Sequence, residues 1–310
     1  MLKIILAQPR GFCAGVVRAI DIVEAALRKW GAPVYVFHPI VHNERVIDVL
    51  AKKGAVFVAD MEHVPRGATV IFSAHGVGVR MRQAAESREL EVIDATCPLV
   101  EKVHAAVRRF DALGRRVVIV GHREHDEVQG TLGQISAPAH VISSAVEAGH
   151  VEIDGDVPLA FVTQTTLSST DVREIVCILR ARFPGIVGPD AGDICYATEN
   201  RQRAVRALCA VVDIVLVVGS ASSSNANRLL DVARAEGRPA YLLADGRGLQ
   251  TGWFDGLRTI GLTAGASTPD DAVADVLAAL ARIAETEISV MAGPSETVHF
   301  KFPAGLAPMP

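Results

Sequence analysis

The chain has 310 residues, 50% of them hydrophobic and 21% charged, with a formal net charge of −4. That balance is globular, too apolar for a disordered chain and too acidic for a general nucleic-acid binder. The longest apolar stretch, ALCAVVDIVLVVG (207–219), is broken by Asp213, so no transmembrane helix is expected. The N-terminus shows no signal-peptide cleavage pattern, and the reading is a cytoplasmic protein with neither membrane nor nucleic acid as a partner. Its five cysteines, an odd count, are then expected to be reduced, metal-bound or catalytic rather than paired in disulfides.

In chain order, short β-branched runs predict strands at 3–6, 34–37, 56–58, 69–72, 91–94, 117–120, 140–142, 159–162, 214–218, 240–243 and 259–262. Amphipathic stretches between them predict helices, among them 15–30, 98–113, 169–183, 197–211 and 269–284. Alternation of the two means an α/β fold with mostly parallel sheets.

Three strand-to-helix junctions carry a cysteine: ILAQPRGFCAGVV with Cys13, VIDATCPLVEKV with Cys97 and DICYATENRQ with Cys195. Between successive markers, further strands end in polar loops, at His42 and His75 in the first interval and at His125, Glu127, Thr165 and Thr166 in the second. After Cys195 they end in GSASSSNAN and TAGAST. The expected organisation is three similar units of about a hundred residues, a common domain size: 14–96, 97–193, and 194–284 joined by 1–13, with 285–310 left as a C-terminal tail. The strand before each cysteine belongs to the preceding unit, and residues 1–8 supply the third unit's closing strand. Such closure makes a ring, and it brings Cys13, Cys97 and Cys195 to one point.

Pro98 suits the first position of a helix, which makes Cys97 its N-cap, near the positive end of the dipole, where a thiol ionises more easily. Cys13 and Cys195 also precede helices. Cys177 and Cys209 sit in apolar helical stretches and read as buried structural cysteines. Three converging thiols leave two chemistries open: an iron–sulfur cluster with one iron unligated by protein, or tetrahedral zinc with a histidine as fourth ligand. A zinc-dependent hydrolase or non-redox diphosphate-binding protein, and more weakly a nucleophilic-cysteine hydrolase, therefore stand beside a redox enzyme. The Gly-Ser loop of VVGSASSSNANRLL (217–230) and Ser267-Thr268 before Pro269 resemble helix-start anion sites, although capping alone explains either one. Opposite His42, His75 and His125 they favour a phosphate or diphosphate. His104, inside a helix, reads as an ordinary satisfied or exposed histidine. GFCAGV is not the G-x-G-x-x-G of nucleotide cofactors.

PRGFCAGV, VHN, FSAHG, DATCPLV, GHxxHxE, TQTT, DICYAT, SSN and TAGAS together resemble the LytB/IspH family, from residue 1 to about 284. The resemblance implies a pseudo-threefold trefoil of three α/β units around a central [4Fe–4S] cluster, one per subunit, held by Cys13, Cys97 and Cys195 with one iron open to substrate. It implies two-electron reductive dehydroxylation of an allylic diphosphate in non-mevalonate isoprenoid synthesis. His42, His75, His125, Thr165, Ser223, Ser224, Asn225 and Ser267 would bind substrate, Glu127 would deliver a proton, and a ferredoxin or flavodoxin would supply electrons. Without the resemblance, Glu127 in HREHDE reads as a surface glutamate. Two residues depart from the family pattern: Asp126, where proline is expected, and Ser222, where asparagine is common.

Overall fold

The computed structural model describes residues 2–153, 157–190 and 192–306. In chain order its elements are β1 (Leu2–Leu6), α1 (Ala14–Trp30), β2 (Val34–Phe37), α2 (Glu44–Lys52), β3 (Ala55–Val58), β4 (Thr69–Phe72), α3 (Val79–Ser87), β5 (Glu91–Asp94) and α4 (Pro98–Ala112). There follow β6 (Arg116–Val120), α5 (Asp126–Leu132), β7 (His140–Ile142), α6 (Ala145–His150), β8 (Leu159–Thr163), α7 (Ser169–Arg182) and α8 (Tyr196–Cys209). The last are β9 (Ile214–Val218), α9 (Ser224–Ala235), β10 (Ala240–Leu243), β11 (Thr259–Ala264), α10 (Asp270–Ile283) and β12 (Thr286–Val290).

Two compact units result. The first comprises 1–16, 42–46 and 196–299, the second 17–41, 47–195 and 300–310. The first holds a five-stranded sheet of order β10-β9-β11-β1-β12, parallel throughout. Every residue of β9 is buried, as a parallel strand covered on both faces requires. Leu216 and Val218 face a core with Ile4, Leu262, Val276 and Leu280. Val215 and Val217 face the opposite core with Leu208, Leu229 and Ala233. As the sequence predicts, the N-terminal strand joins this sheet, pairing with β11, but it is not the closing strand. The segment read as a tail adds an edge strand: β12 pairs with β1 from Leu2↔Thr286 to Leu6↔Val290.

The second unit holds two parallel sheets, β3-β2-β4-β5 and β7-β6-β8. β5, the strand before Cys97, pairs with β4, again as expected. In the other sheet the place of a closing strand is taken by a single bridge, Ala160↔Val187. The flanking sequence FPGIVGPD supplies the reason, since proline cannot donate to a ladder and glycine weakens a strand. Val118, Val120 and Phe161 pack on Val172, Ile175 and Leu179 of α7. Val117, Ile119 and Val162 pack on Val103, Val107 and Phe110 of α4.

β4, β6, β8, β9 and β11 run into polar loops at their carboxyl ends, where parallel α/β sheets place ligand sites. No helix among the described residues is long and apolar enough to cross a membrane.

Candidate functional site

The three junction cysteines share one local design. The Cys13 amide donates to the Ala266 carbonyl beyond β11, the Cys97 amide to Ala74 beyond β4, and the Cys195 amide to Thr165 beyond β8. Each is half-buried and in no disulfide. Cys97 is the N-cap of α4 with Pro98 at the first helical position, and its side chain makes no capping bond. Its sulfur is therefore not spent on the helix.

In the first unit, polar side chains gather where β9 and β11 end. Ser223 is the N-cap of α9 and accepts the Ala226 amide at 3.3 Å; Ser224 opens the helix. Asn225, buried, accepts the Ala266 amide on Oδ1 at 2.8 Å and faces the Thr198 hydroxyl with Nδ2 at 3.4 Å. Ala266 thus donates to Asn225 and accepts from Cys13. The Ser267 hydroxyl donates to the His42 carbonyl at 3.0 Å and lies 3.5 Å from Ser223 Oγ. So His42, Ser223, Asn225 and Ser267 lie together around the start of α9, the kind of place where backbone amides can hold an anion. Ser222, one of the two departures from the family pattern, bonds Ser220 at 2.7 Å, and both hydroxyls reach Glu44. Burial raises the Glu44 pKa, but these bonds outweigh it and hold the carboxyl below its ordinary value.

In the second unit, His75 beyond β4, His125 and Glu127 beyond β6, and Thr165 beyond β8 come together. The rings of His75 and His125 stand edge to face at 5.8 Å. His125 is the N-cap of α5, and its Nδ1 accepts the Glu127 amide at 3.1 Å. An accepting Nδ1 puts the ring proton on Nε2. Glu127 is 2% exposed, contrary to its reading as a surface residue from local sequence alone. The Thr165 amide donates to Oε1 at 2.6 Å and its hydroxyl to Oε2 at 3.0 Å. Burial pushes the Glu127 pKa up to about 7; both Thr165 bonds oppose that rise and the Asp193 carboxyl adds to it.

The structure corrects two readings. Cys177 is exposed, whereas Cys209 is buried. Val172, Ile175, Val176 and Leu179 form the inner stripe of α7, and position 177 falls outside that arc. Burial pushes the Cys209 thiol up to about 11, which makes it inert. His104 is neither exposed nor satisfied. It is 0% exposed, neither ring nitrogen has a hydrogen-bond partner, and burial lowers its pKa to about 4.

Near these groups the structure gives contacts to Asp126, which the sequence marks only as a departure from the family pattern, and to four residues that the sequence does not single out: Thr163, Asp193, Arg201 and Gln134. Asp126 accepts His38 Nδ1 at 2.8 Å and lies 3.9 Å from His75 Nδ1. Asp193 and Thr163 bond reciprocally, amide to side chain, at 3.1 and 2.7 Å, just before Cys195. Arg201, in the charged helix ENRQRAV, is fully buried; a helix of that composition reads as a solvated face. Gln134 donates to the carbonyls of Val77 and Gly130 and accepts Arg108.

A family model described as LytB protein matches residues 4–281. Two similar proteins are both named 4-hydroxy-3-methylbut-2-enyl diphosphate reductase. That of Zymomonas mobilis is 52% identical over 99% of this chain and 90% of its own; that of Burkholderia pseudomallei is 54% identical over 98% and 97%. A solved structure of E-1-hydroxy-2-methyl-but-2-enyl-4-diphosphate reductase from Plasmodium falciparum matches with a TM-score of 0.92 at 37% identity, over 97% of this chain and 96% of that one. Another, of the reductase described as the terminal enzyme of the non-mevalonate pathway, matches with a TM-score of 0.64 at 32% identity, over 91% and 100%.

Proposed function

The chain belongs to the LytB family, and from that premise we propose that it reduces 4-hydroxy-3-methylbut-2-enyl diphosphate to isopentenyl and dimethylallyl diphosphate, the closing step of the non-mevalonate isoprenoid route. What carries the reading is 52–54% identity over nearly the whole chain to reductases of that name.

Cys13, Cys97 and Cys195 are the proposed protein ligands of a [4Fe–4S] cluster. Three thiols outside any disulfide, with one shared local placement, are a suitable donor set. When bound, that cluster supplies electrons one at a time and a Lewis-acidic iron. Nothing in the sequence provides a flavin or nicotinamide site, so the electrons come from a ferredoxin or flavodoxin in the cytoplasm.

His42, Ser223, Ser224, Asn225 and Ser267, with His75, His125 and Thr165, are the proposed substrate ligands. His125 binds as a donor, because its Nδ1 already accepts the Glu127 amide. Glu127 is the proposed acid. An allylic hydroxyl leaves poorly until it is protonated, and an acid with a pKa near the working pH serves best; burial places Glu127 at about 7. Because Oε1 accepts the Thr165 amide, the proton of the neutral acid sits on Oε2, which lies 3.0 Å from the Thr165 hydroxyl. Thr165 can accept that proton and pass its own to the departing oxygen.

The test is anaerobic. Purified protein should be brown, with about four irons and four sulfides per chain, and with a chemical reductant it should convert the substrate to both products, resolved by NMR. A colourless chain that retains zinc and forms neither product would overturn the reading.

A further inference from the structure

Two arginines hold the peptide groups that immediately precede two of the proposed cluster ligands. Arg201 on α8 donates to the Gly11 carbonyl through Nε at 3.1 Å and a terminal nitrogen at 2.7 Å, and to Phe12 at 3.2 Å. Gly11 and Phe12 are the two residues before Cys13. Arg18 on α1 donates through one nitrogen to Ala95 at 3.2 Å and Thr96 at 3.1 Å. Ala95 and Thr96 are the two residues before Cys97. Each arginine also lies a short way into a helix that follows a junction cysteine, five residues after Cys13 and six after Cys195.

Both guanidiniums are fastened from the far side by the C-terminal segment. Glu296 accepts Arg201 on both oxygens at 3.1 Å, and its carboxyl is steadied by Asn200 Nδ2 at 3.1 Å. The fifth N–H of Arg201 goes to Ala197 at 2.9 Å, so the whole fork is used. Arg201 is 1% exposed and Glu296 14%. A cation that deep requires a counter-charge, and Glu296 is its carboxylate partner among the described residues. In the second unit, the Lys301 carbonyl accepts Arg18 Nε at 2.7 Å. The cationic head of Arg18 is an electrostatic neighbour of Cys97, although burial lowers its own pKa.

We propose that residues 296–301 form a positioning element for the cluster ligands, in which Glu296 acts through Arg201 on the Cys13 loop and the Lys301 carbonyl acts through Arg18 on the Cys97 loop. The inference rests on the reading of Cys13 and Cys97 as cluster ligands. A thiolate projects from the backbone of its own residue, so fixing the two preceding carbonyls fixes the point from which the sulfur is presented. Partners behind the ligands commonly orient metal sites in this way.

The experiment uses full-length, anaerobically purified protein and two readouts: hydrogen exchange in the segments containing the Cys13 and Cys97 amides, and the rate of iron release to a chelator. Glu296→Gln keeps the shape and removes the charge. It should speed exchange at Cys13 by about tenfold while leaving Cys97 unchanged, the pattern of local rather than global opening. Arg18→Gln should do the reverse. Both variants should release iron faster than the parent, and Glu296→Asp should recover most of the loss. Should Glu296→Gln fail to fold, Asn200→Ala, which keeps both charges and loosens the carboxyl, should show the same locality at smaller size. Equal acceleration at both cysteines, or none at either, would overturn the proposal. An iron-free parent protein would instead overturn the cluster reading, and the exchange data would still decide whether the segment positions the two loops.

Discussion

Glu127 shows how burial changes the acidity of an ordinary side chain. Its raised pKa means that stability from the neutral acid is fully present below 4.5 and lost as pH climbs to about 7, an effect on the order of 3 kcal/mol by linkage. His104 runs the other way. Its pKa is depressed from 6.5 to about 4, so its contribution is present at neutral pH and lost as pH falls through that window. Glu127→Gln should flatten the first dependence and leave the second. Its unfolding free energy relative to the parent should therefore rise between pH 4 and pH 8, read by urea titration at several pH values; a constant difference would mean that the carboxyl ionises normally. The same variant should bind substrate nearly as the parent does and keep its cluster spectrum, while kcat falls by roughly 10²–10⁴, the usual loss of a general acid. Turnover within a few-fold of the parent would assign the proton to another group. Cysteine substitution separates ligands from bystanders. Serine at Cys13, Cys97 or Cys195 should each strip or cripple the cluster. Serine at exposed Cys177 should leave iron content and stability unchanged, and at buried Cys209 it should lower stability alone. Iron loss from the Cys177 variant with retention in the Cys13 variant would reverse the assignment.

The loops between elements are as constrained as the cores. Gly76 follows His75 with φ +76°, and a methyl there would meet His104 Cε1 at 2.5 Å and Thr96 Cγ2 at 3.1 Å. On its other side, Gly130 of α5 lies so near that its own methyl would meet the Gly76 carbonyl oxygen at 2.8 Å. The His75 turn is thus clasped between α4, which follows Cys97, and α5, which carries Glu127. Gly76→Ala should lower stability by roughly 1–3 kcal/mol from backbone strain and weaken substrate binding by moving His75. Calorimetry and a binding titration check both, and unchanged affinity would show that His75 does not depend on this turn. Elements of this kind differ in how far the sequence discloses them. β8 and β9 are buried at every position, so they read as apolar runs, broken only by Thr163 at the end of β8. α5, DEVQGTL, has neither the length nor the apolar period of an amphipathic helix. β12 is mostly exposed at the sheet edge, and TEISV carries little apolar weight. Arg201 was illegible for another reason: its burial depends on Glu296, 95 residues further on, and no local pattern encodes such a pairing. Cys97 and His75 stand out in the sequence because each follows within three residues of a strand's end, where the apolar period stops.

At the scale of the molecule, the question is whether the proposed cluster would organise the fold or occupy one that stands without it. Small metal domains unfold when stripped because the metal replaces a core. Here the apolar interior is ample. The five-stranded sheet has a core on each face, and the sheet containing β6 and β8 likewise has one on each side. Cys13, Cys97 and Cys195 lie outside these clusters, half-buried, and their amides are bonded to the loops beyond β11, β4 and β8. Ligand binding to the native state alone still adds stability by mass action. Removal of iron with a chelator and an oxidant should therefore lower the melting temperature and make it depend on reconstitution, yet leave the far-ultraviolet circular dichroism of an α/β protein nearly intact. Exchange protection should persist in β8, β9 and β11 and be lost first in the loops at Cys13, Cys97 and Cys195. If the stripped chain instead lost its helical signal and its protected strands together, the three thiols would be part of what folds the protein, and the cores would be too weak to hold it alone.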